Sequence, residues 1–140
     1  MLLLALSAPP PTTKGPLVLL VEDHADTRQM YAEFLRSSFE ILEAGTGPQA
    51  LEIARARRPA VLVTDLSLPG MDGFELIARM RDDPAMRTVP VVCISGYGGE
   101  VHEERARAAG SDRIIQKPCL PDRLADAIGE VLAGTKRSES

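Results

Sequence analysis

Residues 60–73 read Ala-Val-Leu-Val-Thr-Asp-Leu-Ser-Leu-Pro-Gly-Met-Asp-Gly. An apolar, β-branched run (Val61, Leu62, Val63, Thr64) stops at a carboxylate, Asp65, and a Pro69-Gly70 turn leads to Asp72, a residue suited to cap a new helix. Nearly continuous apolar character fits a strand buried on both faces of a parallel sheet, where alternation is not needed. Ligands of such sheets sit just beyond the carboxyl ends of the strands. Asp65 therefore reads as a carboxylate delivered to the mouth of the sheet. Alone, it reads more readily as an ordinary turn or capping aspartate, the commoner fate after a strand, and the other strands have to decide.

They agree with it. Leu17-Val18-Leu19-Leu20-Val21 is a second apolar run and ends in Glu22-Asp23. Asp26 with Gln29 has capping-box spacing for a helix to about Ser38, with Met30, Phe34 and Tyr31 as its inner face. Phe39 to Ala44 alternates as a strand, and Thr46, Pro48 and Gln49 open a helix that carries Ala50, Leu51 and Ala54 and stops before Pro59. Asp72 and Glu75 cap a helix that packs Phe74, Ile77 and Met80. Pro90-Val91-Val92-Cys93-Ile94 is a fourth strand ending at Ser95, and Gly96-Tyr97-Gly98-Gly99 leads to a charged helix from about Glu100 to Ala109. Gly110 closes that helix in the manner of a C-cap. Arg113 to Gln116 is a fifth strand ending at Lys117-Pro118, and Leu124, Ile128, Val131 and Leu132 keep helical spacing after Pro121. Five alternations of strand and helix predict an α/β, doubly wound, five-stranded parallel sheet.

Composition limits the function classes. A chain of 140 residues with 44% apolar residues can bury a core without metal or disulfide staples. A net charge of -4 and a sequence pI near 5.2 argue against a nucleic-acid partner. Cys93 and Cys119 form no CxxC pair, so they read as a buried small side chain and an ordinary loop thiol of a reducing, cytoplasmic protein. No segment approaches the ~20 apolar residues of a membrane span. Met1 to Leu6 lacks the basic leader of a secretory signal. Residues 1–16, with Pro9-Pro10-Pro11, read as a disordered arm, 17–133 as one domain and 134–140 as a flexible tail.

Four strands thus end on Glu22-Asp23, Asp65, Ser95 and Lys117, which a parallel sheet gathers at one edge. Converging carboxylates repel unless a cation joins them. Oxygen ligands favour Mg2+, which takes one or two carboxylates and completes its shell with water and phosphate oxygens. Lys117 adds a positive charge for a phosphate and Ser95 a hydroxyl donor. This is equipment for phosphoryl transfer, with a carboxylate able to act as nucleophile. His24, His102 and the Arg55, Arg57, Arg58 cluster read as surface groups, the arginines favourable to a helix dipole.

Val-Glu-Asp at 21–23, Asp65 followed by Leu-Pro-Gly-Met-Asp-Gly at 68–73, Ser95-Gly96 and Lys117-Pro118 together resemble the receiver domain of two-component response regulators. The likeness extends over about Leu17 to Leu132. It implies a flavodoxin-like (βα)5 sheet of strand order 2-1-3-4-5. It also implies that Asp65 accepts a phosphoryl group from a sensor histidine kinase or a histidine phosphotransfer protein. On the same ground Glu22, Asp23, Asp65 and the backbone carbonyl of Ser67 would hold Mg2+. Ser95 and Lys117 would hold phosphoryl oxygens, the Lys117-Pro118 bond would be cis, and Ser67 would influence how water reaches the acyl phosphate.

Such a protein is a stand-alone switch rather than an enzyme, catalysing only its own phosphorylation and dephosphorylation. It signals to an unknown downstream protein by contacts expected on the fourth helix, fifth strand and fifth helix, as a monomer or weak dimer. The chain departs from the family at Ile114, where an aromatic residue is common. Ser95, Tyr97 and Ile114 are the switch candidates, and the loop around Tyr97 is expected to move in place of the missing aromatic. Two other classes fit less well. A Mg-dependent phosphatase with an aspartyl nucleophile would carry a second acid where Ser67 stands. A mononucleotide-binding flavodoxin relative would carry a phosphate loop where Glu22-Asp23 stands.

Overall fold

The computed structural model describes residues 15–96 and 100–134. Tyr97, most of the arm (1–14) and the tail from 135 onward lie outside the described residues. Five strands and five helices alternate along the chain. They are β1 (Leu17–Val21), α1 (Ala25–Leu35), β2 (Glu40–Ala44), α2 (Gly47–Arg57), β3 (Val61–Asp65), α3 (Gly73–Asp82), β4 (Val91–Ser95), α4 (Glu100–Ala109), β5 (Arg113–Gln116) and α5 (Pro121–Ala133). All neighbouring strands pair in parallel, in the order β2-β1-β3-β4-β5. This is the expected doubly wound, flavodoxin-like sheet.

Alternation of side chains across each strand builds two cores. Leu19, Val21, Leu62, Val91 and Cys93 face one side, where Ala50, Leu51 and Ala54 of α2, Leu76, Ile77 and Met80 of α3, and Ala106 of α4 cover them. Val18, Leu20, Val61, Val63, Val92 and Ile94 face the other, under Tyr31, Ala32 and Leu35 of α1 and Leu124, Ala127 and Ile128 of α5. Every residue of β3 and β4 is buried, which accounts for their unbroken apolar runs. The strand order reverses between β1 and β3, so their carboxyl ends frame the crevice where α/β sheets of this kind bind ligands.

Several local expectations are corrected. The inner face of α1 is Tyr31, Ala32 and Leu35, while Met30 and Phe34 are exposed. Both stripes have helical spacing, and the one with Tyr31, Ala32 and Leu35 packs against the sheet, which leaves Met30 and Phe34 outward. Asp26 caps nothing; the residue preceding α1 is His24, with no side-chain cap bond. Cys119 is buried rather than an open loop thiol. His102 is half-buried, its ring 6.3 Å from that of Phe74. The caps of α2 and α3 are as expected: Thr46 accepts from the Gln49 amide at 3.2 Å and Asp72 from the Glu75 amide at 2.9 Å.

Candidate functional site

The carboxyl ends of β1, β3, β4 and β5 bring the polar residues together. The β3–β4 register puts Asp65 opposite Ile94, and the β4–β5 register puts Ser95 opposite Gln116. Asp65 is only 3% exposed. Its Oδ2 accepts from the Lys117 ammonium at 2.6 Å and its Oδ1 from the Ser67 amide at 2.9 Å. The Leu66 amide donates to Ile94 at 3.0 Å, which carries the strand pairing to the edge of the site. Gly73, at the start of α3, lies directly over this strand end. A Cβ there would stand 2.5 Å from the Asp65 carbonyl oxygen and 2.7 Å from the Leu66 Cα. Only glycine lets α3 sit so close.

Glu22 is buried beside Asp65. Its Oε2 accepts from the His24 amide at 3.0 Å, and its Oε1 has no hydrogen-bond partner, with the Lys117 ammonium 3.8 Å away. Burial pushes the Glu22 carboxyl above its ordinary value of 4.5; the His24 amide opposes this and the charge of Asp65 adds to it. Burial would lower the Lys117 ammonium, but its hydrogen bond to Asp65 and the charges of Asp65 and Glu22 raise it overall. Lysine is thus fully charged at neutral pH.

Ser95 ends β4 in a buried position, and its carbonyl accepts from the Lys117 amide at 2.8 Å. The Lys117-Pro118 bond is cis. Asp23 and Ser67 are exposed and line a groove of about 480 Å3 with Asp72, Phe74 and His102. Ile114 is half-buried against the core under α2, α3 and α4.

Among the described residues no three His, Cys, Asp or Glu side chains form a ready metal cluster. The donor set nonetheless fits Mg2+. A buried carboxylate oxygen without a partner stands next to a second carboxylate, and Mg2+ needs only one or two of these besides water and phosphate.

The sequence placed Tyr31 on the inner face of its helix, as found, but gave no sign of the bond that its hydroxyl makes. Its hydroxyl donates to the carbonyl of Cys119 at 2.8 Å, across 88 positions of the chain, in a buried bond next to the Lys117-Pro118 turn. A bond from a helix face to a loop carbonyl leaves no local pattern in sequence; the tyrosine at an inner helix position was the only available signal.

A family model described as the response regulator receiver domain matches residues 18–129. The polar-differentiation response regulator DivK of Brucella anthropi is 29% identical over 116 residues, covering 82% of this chain and 94% of that protein. The chemotaxis response regulator CheY4 of Vibrio cholerae superposes with a TM-score of 0.79 at 26% identity, covering 83% of this chain and 98% of the other. The signal receiver domain of a signal transduction histidine kinase from Syntrophus aciditrophicus gives a TM-score of 0.78 at 28% identity, covering 89% and 96%.

Proposed function

The chain belongs to the response regulator receiver family, phosphorylation-activated switches of two-component signalling, and from that premise we propose that Asp65 is its phosphoacceptor. The donor is the phosphohistidine of a sensor kinase or of a histidine phosphotransfer protein. An Asp65 carboxylate oxygen attacks phosphorus, an O–P bond forms, the N–P bond breaks, and the imidazole keeps the electron pair. Lys117 leaves its pairing with the carboxylate to follow charge onto the transferred group, and the Ser95 hydroxyl donates to another phosphoryl oxygen. Glu22, Asp23, Asp65 and the Ser67 carbonyl would hold Mg2+, which supplies charge neutralisation for the phosphoryl oxygens.

The observation that carries this reading is the Lys117 ammonium, 2.6 Å from the buried Asp65 carboxylate and beside the unpartnered oxygen of Glu22. The receiver unit is residues 17–133, with 1–16 and 134–140 outside it. It acts in the cytoplasm, without nucleic acid or membrane, through protein contacts on α4, β5 and α5, as a monomer or weak dimer. Its only catalysis is on its own phosphoryl group. Ser95, Tyr97 and Ile114 carry the switch.

Incubation with Mg2+ and acetyl phosphate, followed by intact-mass measurement, tests the assignment. One acid-labile phosphoryl group is expected on the wild type and none on Asp65→Asn, with unchanged circular dichroism. Modification of the Asp65→Asn protein to the wild-type extent would overturn it.

A further inference from the structure

We propose that Tyr31 is a positioning residue for Lys117: its hydroxyl fixes the Cys119 carbonyl and so holds the backbone from which the ammonium reaches Asp65. The inference rests on the reading of Lys117 as the cation of the phosphoryl site.

Besides the burial of Cys119 in the core, the segment that carries Lys117 is held at few points. It leaves β5, an edge strand of four residues with none buried. It then enters α5 through Leu120, which is exposed and gives no side-chain cap. Pro118 has no amide hydrogen to donate. Two strong bonds of 2.8 Å fix the turn. One joins the Lys117 amide to the Ser95 carbonyl, and the other joins the Tyr31 hydroxyl to the Cys119 carbonyl. They bracket the lysine on both sides. The Cys119 thiol adds a 3.5 Å bond to the Leu120 carbonyl and a side-chain interaction with the same Tyr31 hydroxyl.

The second anchor comes from the core. Tyr31 is 4% exposed and sits on α1 in the cluster that also holds Cys119, Leu124 and Ile128. A phenylalanine would fill the same space without the hydroxyl, leaving the buried carbonyl unpaired. Burial first, and the neighbouring Cys119 next, raise the Tyr31 phenol above its ordinary value of 10.0. It therefore stays protonated, as a donor must. A lysine side chain is long and has many rotamers, so its ammonium stays within 2.6 Å of Asp65 only if its own Cα is held.

Tyr31→Phe tests this on the full chain. With Mg2+ in excess and acetyl phosphate as donor, the phosphorylation rate is expected to fall roughly tenfold, within the loss that a small misplacement of a positioned group produces. Mg2+ affinity by calorimetry should hold within about twofold, since its proposed ligands lie off this turn. Leu35→Val, a buried change one turn along the same helix face, reports any general loss of stability and should leave the rate unaltered.

In a Lys117→Ala background, adding Tyr31→Phe should change the residual rate less than about twofold, the signature of a shared effect. Equal losses in both backgrounds, or no loss in the first, would overturn the proposal. The side-chain NMR signal of the Lys117 ammonium needs no phosphorylation, and Tyr31→Phe should broaden or shift it. If the wild type acquires no phosphoryl group while that signal responds to Tyr31→Phe, the reading of the site fails and the positioning role stands. An unmoved signal ends the positioning role.

Discussion

Glu22 is where the site's electrostatics are least balanced. One oxygen is bonded to the His24 amide at 3.0 Å; the other is buried and accepts nothing. Burial first, with the Asp65 charge added and the His24 amide opposing, raises its pKa above 4.5. The folded protein therefore holds this proton more tightly than the unfolded chain. Stability linked to it is fully present below pH 4.5 and is lost as pH rises through the folded value. Mg2+ should reverse that loss by pairing the ionised carboxylate.

The expected outcome is a metal-dependent rise in Tm that is large at pH 7.5 and fades toward pH 4. Glu22→Gln should raise the metal-free stability at neutral pH, by about 1 kcal/mol, and should flatten the Mg2+ response. Thermal melts across pH with Mg2+ or EDTA check this, and an undiminished Mg2+ response in Glu22→Gln would refute it. Glu22 and Asp65 were legible because each ends an apolar run, and Lys117 because it follows a short strand candidate in the same alternation. The bond of Tyr31 to the Cys119 carbonyl was not, because the two partners are remote in sequence. The outward turn of Met30 and Phe34 was also hidden, since two helical stripes competed and packing chose between them.

Helix starts show which sequence signals carry energy. Thr46 and Asp72 each accept the amide three residues on, at 3.2 and 2.9 Å, and their pattern in the sequence gave the right helix boundaries. Asp26 has the same spacing to Gln29, yet the residue that precedes α1 is His24, two positions earlier, and the Asp26 side chain caps nothing. The difference lies in the chain before the helix. The Glu22 carboxylate takes the His24 amide, and the Arg28 guanidinium takes the Glu22 carbonyl at 2.8 Å, so the turn into α1 is organised from β1.

Asp72→Ala should therefore cost about 1 kcal/mol, a Tm drop of roughly 3–4 °C. Asp26→Ala should stay within about 0.5 kcal/mol of the wild type. Urea titrations of both variants measure the contrast, and equal losses would contradict it. The same element carries Gly73, whose need for glycine could not be seen in sequence. It comes from the 2.5 Å approach of a would-be Cβ to the Asp65 carbonyl, a distance set only when α3 docks on β3.

For the whole molecule, topology was the most readable level because two physical rules compress it. Buried parallel strands read as unbroken apolar runs, and strand-helix alternation leaves few ways to wind a sheet. What the rules do not show is how unevenly the middle of the sheet and its β5 edge are held. β3 and β4 are buried throughout. By contrast β5 has no buried residue, and among the described residues of α4 only Ala106 is buried.

Local opening follows such differences in burial, so amides of β5 and α4 should exchange with solvent fastest among the regular elements, and those of β3 and β4 slowest. On the proposed reading, Mg2+ with a beryllofluoride phosphoryl mimic should bind the folded site and not the unfolded chain. At 100 times its dissociation constant it adds about 2.7 kcal/mol. Amides of β3 and β4 that exchange by global unfolding should then slow by roughly 100-fold. Amides of β5 and α4, which open locally, should slow by that factor only if the site and this edge open as one unit. Hydrogen exchange read by mass spectrometry distinguishes the cases. A smaller gain at β5 and α4 than at β3 is the expected pattern; identical gains throughout would mean that the molecule opens as a single block, and that the exposed edge has no independent freedom to carry a signal.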